Sequence, residues 1–165
     1  MDSTLNMESC HQHEEFLAEA IRLSIDNISN GGGPFGAVIV KQGRVIATGT
    51  NRVTANNDPT AHAEVMAIRA ACKALGTFEL DGCTIYSSCE PCPMCLSAIY
   101  WAGISELYYA CDKADAAAIG FDDKFIYDEL ERPVSQRRVH YTQMMREQAI
   151  EAFRKWHNTT NKTEY

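Results

Sequence analysis

The stretch Pro91-Cys92-Pro93-Met94-Cys95 constrains the fold of this chain more than any other. Proline suits the first turn of a helix, where the N–H it lacks has no intrahelical partner. A helix opening at Pro93 puts Cys92 at its cap and Cys95 one turn in, on the same side. A second motif, His62-Ala63-Glu64, opens another helix. His62 and Glu64 stand two positions apart, about 200° around a regular helix. They can share a site only over the helix end, and Thr60 is the expected N-cap that brings both into the first turn. The fold must therefore bring two helix starts together, with positive ends that favour thiolates and a bound anion.

The chain holds seven cysteines, an odd number, among 165 residues. Met1 to Glu15 is polar and acidic, without the apolar centre of a secretory signal. The longest apolar run, Leu96 to Ile104, is interrupted by Ser97 and Gly103 and falls short of a membrane span. The expected setting is cytoplasmic, where thiols stay reduced and serve as packing residues or metal ligands. Cys72, Cys83 and Cys111 read as small core residues, and Cys10 as a free thiol. A net charge of −7 argues against a polynucleotide partner, which calls for a field of Lys and Arg. No membrane partner is expected. Hydrophobic content of 45% excludes disorder across the whole chain.

Residues 1–12 read as a flexible lead-in and 13–165 as a single domain. Apolar spacing predicts an amphipathic helix from His13 to Ser29, ended by Asn30-Gly-Gly-Gly-Pro34. Gly36–Val40 and Arg44–Gly49 read as a hairpin, and Asn51–Pro59 as a polar loop. A helix over Ala61–Leu75, a strand over Cys83–Ser87, a helix over Pro93–Ala102 and a strand over Glu106–Ala110 follow. Ala114–Gly120 and Lys124–Leu130 are short helices, Val139–Thr142 a further strand, and Gln143–His157 a final helix. Strands alternating with helices predict a parallel or mixed sheet covered on its faces.

Several motif readings compete. Gly31 to Gly36 fits G-x-G-x-x-G, but a helix precedes it and a strand follows, the reverse of a dinucleotide site. Cys89, Cys92 and Cys95 begin like an iron–sulfur run, yet Ile99 stands where the fourth cysteine belongs. A redox dithiol at Cys92 and Cys95 lacks a thioredoxin-like context. Zinc fits better: His62, Cys92 and Cys95 make three ligands and leave a fourth tetrahedral position for water. The alternative is a closed, non-catalytic structural zinc site with Cys89 or Cys83 as fourth ligand. Glu64, not itself a ligand, is placed to move a proton. H-x-E…P-C-x-x-C is the pattern of zinc nucleobase deaminases, and every element of it is present.

At these residues the sequence resembles the cytidine deaminase superfamily and, within it, the small bacterial guanine deaminases. The blocks that carry the resemblance are Gly32 to Val40, Asn57 to Val65, Ser88 to Cys95, Gly120-Phe-Asp-Asp123 and Asn161-Lys-Thr-Glu-Tyr165. The resemblance implies an α/β fold of three α/β/α layers with a five-stranded mixed sheet. It implies one zinc ion per subunit on His62, Cys92 and Cys95, with Glu64 as proton shuttle. It implies that Phe35 stacks on a purine substrate and that Asn51 and Asp123 contact it. It further implies a homodimer with a swapped C-terminal segment, in which Tyr165 closes the neighbouring site. The expected reaction is hydrolytic deamination of guanine to xanthine and ammonia. Asp123 is expected to assist the leaving amine, and backbone N–H groups near Ala63 and Cys92 to orient the base and the water. The rival activities are deamination of guanosine, cytosine or tRNA adenosine.

Overall fold

Along Gly36–Lys41, strand β1, Ala37 and Ile39 enter one apolar core and Val38 and Val40 enter another. A strand buried on both faces needs a covering layer on each. A computed structural model of the chain, which describes residues 3–164, supplies both. On one side lies helix α1 (Ser3–Ser29), which packs Phe16, Leu17, Ala20 and Leu23 against Val38, Val40 and the central Tyr86. On the other lie α3 (Ala63–Leu75) and α4 (Pro93–Trp101), which bury Ala67, Ala71, Ile99 and neighbours against Ala37, Ile39 and Ile85.

The sheet between these layers has the order β2-β1-β3-β4, with β2 at Arg44–Thr50, β3 at Cys83–Cys89 and β4 at Glu106–Cys111. β1 pairs antiparallel with β2 and β3, and β3 pairs parallel with β4 across α4. Parallel strands expose their carboxyl ends together, where open α/β sheets place their ligand sites. Glu90 follows β3 there and Lys113 follows β4. Asp112 caps α5 (Lys113–Ala118) through a reciprocal bond pattern with Asp115.

Gly49 brings α3 close to the sheet. A Cβ at this position would lie 2.2 Å from the Ala63 carbonyl oxygen and 2.4 Å from the Ala67 nitrogen. Only a residue without a side chain lets the first turn of α3 settle so near β2.

Six expectations change. Among the described residues the sheet has four strands, not five. Val139–Thr142 carries the alternation of a strand, but Val139 and Tyr141 are exposed and no strand of the chain pairs with this segment. A strand needs a ladder partner to persist. Helix α1 begins at Ser3 instead of His13, since no glycine or proline interrupts the preceding residues. α3 takes His62, not Thr60, as its N-cap. Asp58 Oδ1 engages Thr60 instead, accepting its N–H at 2.8 Å and its hydroxyl at 2.6 Å. Cys111 is exposed at the end of β4, whereas Cys83 is buried. The polar loop after Asn51 also contains a short helix, α2 (Val53–Asn56).

The chain divides after Tyr127, inside α6 (Lys124–Glu131). The segment from Asp128 onward holds the end of α6, a 3-10 turn at Val134–Gln136 and α7 (Arg146–Asn158). None of its described residues is buried, and Phe153, Met144 and Val139 are at least 70% exposed.

Candidate active site and metal centre

His62 and Cys92 are the N-caps of α3 and α4, with Pro93 at the first position of α4. The two helix starts converge. His62 Nδ1 lies 3.6 Å from Cys92 Sγ and 3.5 Å from Cys95 Sγ. A tetrahedral zinc with bonds of about 2.3 Å to sulfur and about 2.0 Å to nitrogen has N–S edges of about 3.5 Å. The donor types and their spacing therefore fit zinc. Among the described residues this is the one cluster of three or more such donors able to share an ion.

Glu64 sits in the first turn of α3, 6% exposed, beside the group. Its Oε1 accepts the Ser87 hydroxyl at 3.2 Å and its Oε2 accepts the Cys95 thiol at 3.3 Å. Burial pushes the Glu64 carboxyl above the ordinary carboxylate range. The hydrogen bond from Cys95, aided by His62, holds the Cys92 thiol down at about 4. The same bond, together with burial, drives Cys95 upward. Bonding to Cys92 raises His62 against the opposing effect of burial.

A cavity of about 430 Å³ opens over this floor. Phe35, Asn51, His62, Glu64, Cys92 and Asp123 all line it. Ala63 and Cys95 are fully buried and do not. Tyr165 lies outside the described residues. Burial, followed by the charge of Cys92, raises the Asp123 carboxyl.

Three further wall residues escaped attention as site residues. Phe121 meets Phe35 edge to face, with centroids 4.9 Å apart at 90°, and fixes the plane of that ring. Glu90 and Lys113 form an ion pair at 3.7 Å on the wall. Phe121 and Glu90 lie inside the Gly120 to Asp123 and Ser88 to Cys95 blocks, which was the available signal. Lys113 had none.

The closed structural site loses its fourth ligand. Cys89 lines the cavity, but its thiol donates to the Asp112 carbonyl at 3.6 Å and it lies outside the group of donors close enough to share an ion. Cys83 is buried in the core beneath the sheet. Gly31 to Gly36 lies between α1 and β1, in the order that argues against a dinucleotide cradle.

Comparison with known proteins agrees with this geometry. Residues 10–111 match the cytidine and deoxycytidylate deaminase zinc-binding region. The chain is 53% identical to the guanine deaminase of Bacillus subtilis strain 168 over 93% of its length and 99% of that protein. The X-ray structure of guanine deaminase from Bacillus subtilis superposes with a TM-score of 0.90, covering 93% of this chain and 98% of that one. A tRNA-specific adenosine deaminase of Aquifex aeolicus is 36% identical over 84% of this chain and 89% of that protein. The guanine deaminase from Nitrosomonas europaea gives a TM-score of 0.63 at 37% identity, covering 66% of this chain and 63% of that one. With its paired helix caps, its His-x-Glu and its Cys-x-x-Cys, the chain belongs to the zinc-dependent cytidine and deoxycytidylate deaminase family.

Proposed function

We propose that the chain hydrolyses guanine to xanthine and ammonia. One observation carries this reading: the buried Glu64 with His62 and Cys92 forms the floor of a cavity walled by the Phe35–Phe121 pair, Asn51 and Asp123, and Cys95 lies buried beside them. The identity to a guanine deaminase over nearly the whole chain supports it.

His62, Cys92 and Cys95 would hold a zinc ion, which would supply the Lewis acidity that makes water a nucleophile at neutral pH. Phe35 stacks on the purine, its ring held edge-on by Phe121. Asn51 and Asp123 bind the edge of the base, and the backbone N–H at Cys92 orients it. Glu64 takes a proton from the attacking water and passes it to N3 as oxygen adds at C2. Asp123 assists proton delivery to the amine, which leaves as ammonia while the C2–N bond breaks. Water thus contributes the new oxygen, and the ring is released as xanthine.

Residues 13–165 act as one catalytic domain in a homodimer. The exposed Val139, Tyr141 and Phe153, in a segment none of whose described residues is buried, support a C-terminal portion that seats on a second copy. Tyr165 then closes the neighbouring site. Seven free cysteines agree with a cytoplasmic setting. No described helix is long and apolar enough to cross a membrane.

Ammonia release from guanine, guanosine, cytosine and adenine, measured side by side, tests the assignment. Guanine is expected to be the preferred substrate. Preference for cytosine or adenine would overturn it.

A further inference from the structure

The passage from α1 into β1 runs through Gly31-Gly32-Gly33, which has no side chains to anchor it. Yet Gly33 and Phe35 line the cavity. The anchor is Asn27, in the last turn of α1 and 2% exposed. Its Nδ2 donates to the Gly33 carbonyl at 2.8 Å and to the Asn51 carbonyl at 2.9 Å. Its own carbonyl accepts the Gly32 N–H at 3.0 Å. Both protons of one buried amide are thus spent on carbonyls from two separate walls of the cavity. The packing leaves no slack: a Cβ on Gly32 would lie 2.2 Å from Asn27 Nδ2 and 2.4 Å from the Asn51 oxygen. Asn51 in turn donates its N–H to the Phe35 carbonyl at 3.1 Å and accepts the Val53 N–H on Oδ1 at 3.3 Å.

We infer that Asn27 is a positioning residue for substrate binding, setting the spacing between the Phe35 ring and the Asn51 side chain without entering the cavity. The inference rests on the guanine reading of that cavity. Glu64 and the metal ligands belong to α3, α4 and their caps, and Asp123 directly precedes α6; the Asn27 amide bonds none of them. Loss of its amide therefore falls on KM and spares kcat. Asn27→Asp preserves shape but faces both carbonyls with oxygen in place of N–H, and unpaired buried carbonyls cost enough to weaken binding about tenfold.

The test compares KM and kcat for guanine, with zinc content, in wild type, Asn27→Asp, Gly32→Ala and Asn30→Ala. The amide of Asn30 bonds the Asp26 carbonyl on the exposed surface, so this variant serves as the control. Asn27→Asp and Gly32→Ala are expected to raise KM about tenfold and leave kcat within about threefold, with zinc retained. An unchanged KM, or a fall confined to kcat, overturns the inference. Gly32→Ala decides it alone if Asn27→Asp does not fold. If wild type leaves guanine untouched, the functional reading fails, and the same comparison is made on the base of the panel that is turned over.

Discussion

Ser87 Oγ donates to Glu64 Oε1 at 3.2 Å, linking the centre of β3 to the first turn of α3. Both residues are buried. The other Glu64 oxygen accepts from the Cys95 thiol, a donor that disappears once the sulfur is ionised to bind metal. Ser87 is then the remaining side chain that orients the carboxylate. Ser87→Ala is expected to lower kcat about tenfold, the scale of a hydrogen bond to a charged group. KM and zinc content stay near wild type. Steady-state kinetics with metal analysis check this, and an unaltered kcat removes Ser87 from the account.

Metal removal gives the second prediction. His62, Cys92 and Cys95 bring one imidazole and two sulfurs together at two helix starts, so an ion held by them would tie α3 to α4. Dialysis against a strong chelator is expected to abolish turnover and lower Tm, and zinc is expected to restore both. Cys95→Ala is expected to behave as the chelated protein does and to stay inactive when zinc is added. Activity that survives complete zinc loss would break the link between this group and the chemistry.

Gly49 yields a third. The added methyl of Gly49→Ala meets backbone atoms of Ala63 and Ala67, which cannot turn aside. α3 must shift, and His62 and Glu64 shift with it. Overpacking of this kind costs about 1–3 kcal/mol. The denaturation midpoint is expected to fall, and zinc affinity with it. A variant as stable as wild type would show that α3 has room that the structure does not contain.

The C-terminal segment supports the fourth. It exposes Phe153 and Met144 and buries none of its described residues. Deletion of residues 161–165 is expected to reduce kcat/KM for guanine while leaving the fold, judged by circular dichroism, intact. Sedimentation of the full chain is expected to give a dimer. A fully active truncated protein would remove Tyr165 from the neighbouring site.

The parts of the fold readable in the sequence were those set by local chemistry. Cys92 caps α4 because Pro93 starts it, and His62 and Glu64 meet over a helix end because two residues span half a turn. Four features were not readable. Val139–Thr142 has the pattern of a strand, but pairing depends on a partner that no pattern supplies. Thr60 has the chemistry of an N-cap, but a turn on Asp58 holds it outside the helix, and α3 starts three residues later at Ala63. Lys113 reaches the cavity wall only because β4 runs parallel to β3 and ends beside it. Asn27 was equally hidden, since nothing local reveals that its amide bridges to Asn51.

The central claim is that Glu64 moves the proton in a zinc-dependent deamination of guanine. Glu64→Gln keeps the size of the side chain and its place beside Ser87 and Cys95, but removes the basic oxygen. The decisive measurement is the rate of xanthine formation from guanine by this variant and wild type, with zinc content determined on the same samples. Full zinc occupancy and a rate lower by at least about a hundredfold are expected, the scale of general acid–base catalysis. A variant that holds zinc and makes xanthine at the wild-type rate would contradict the central claim.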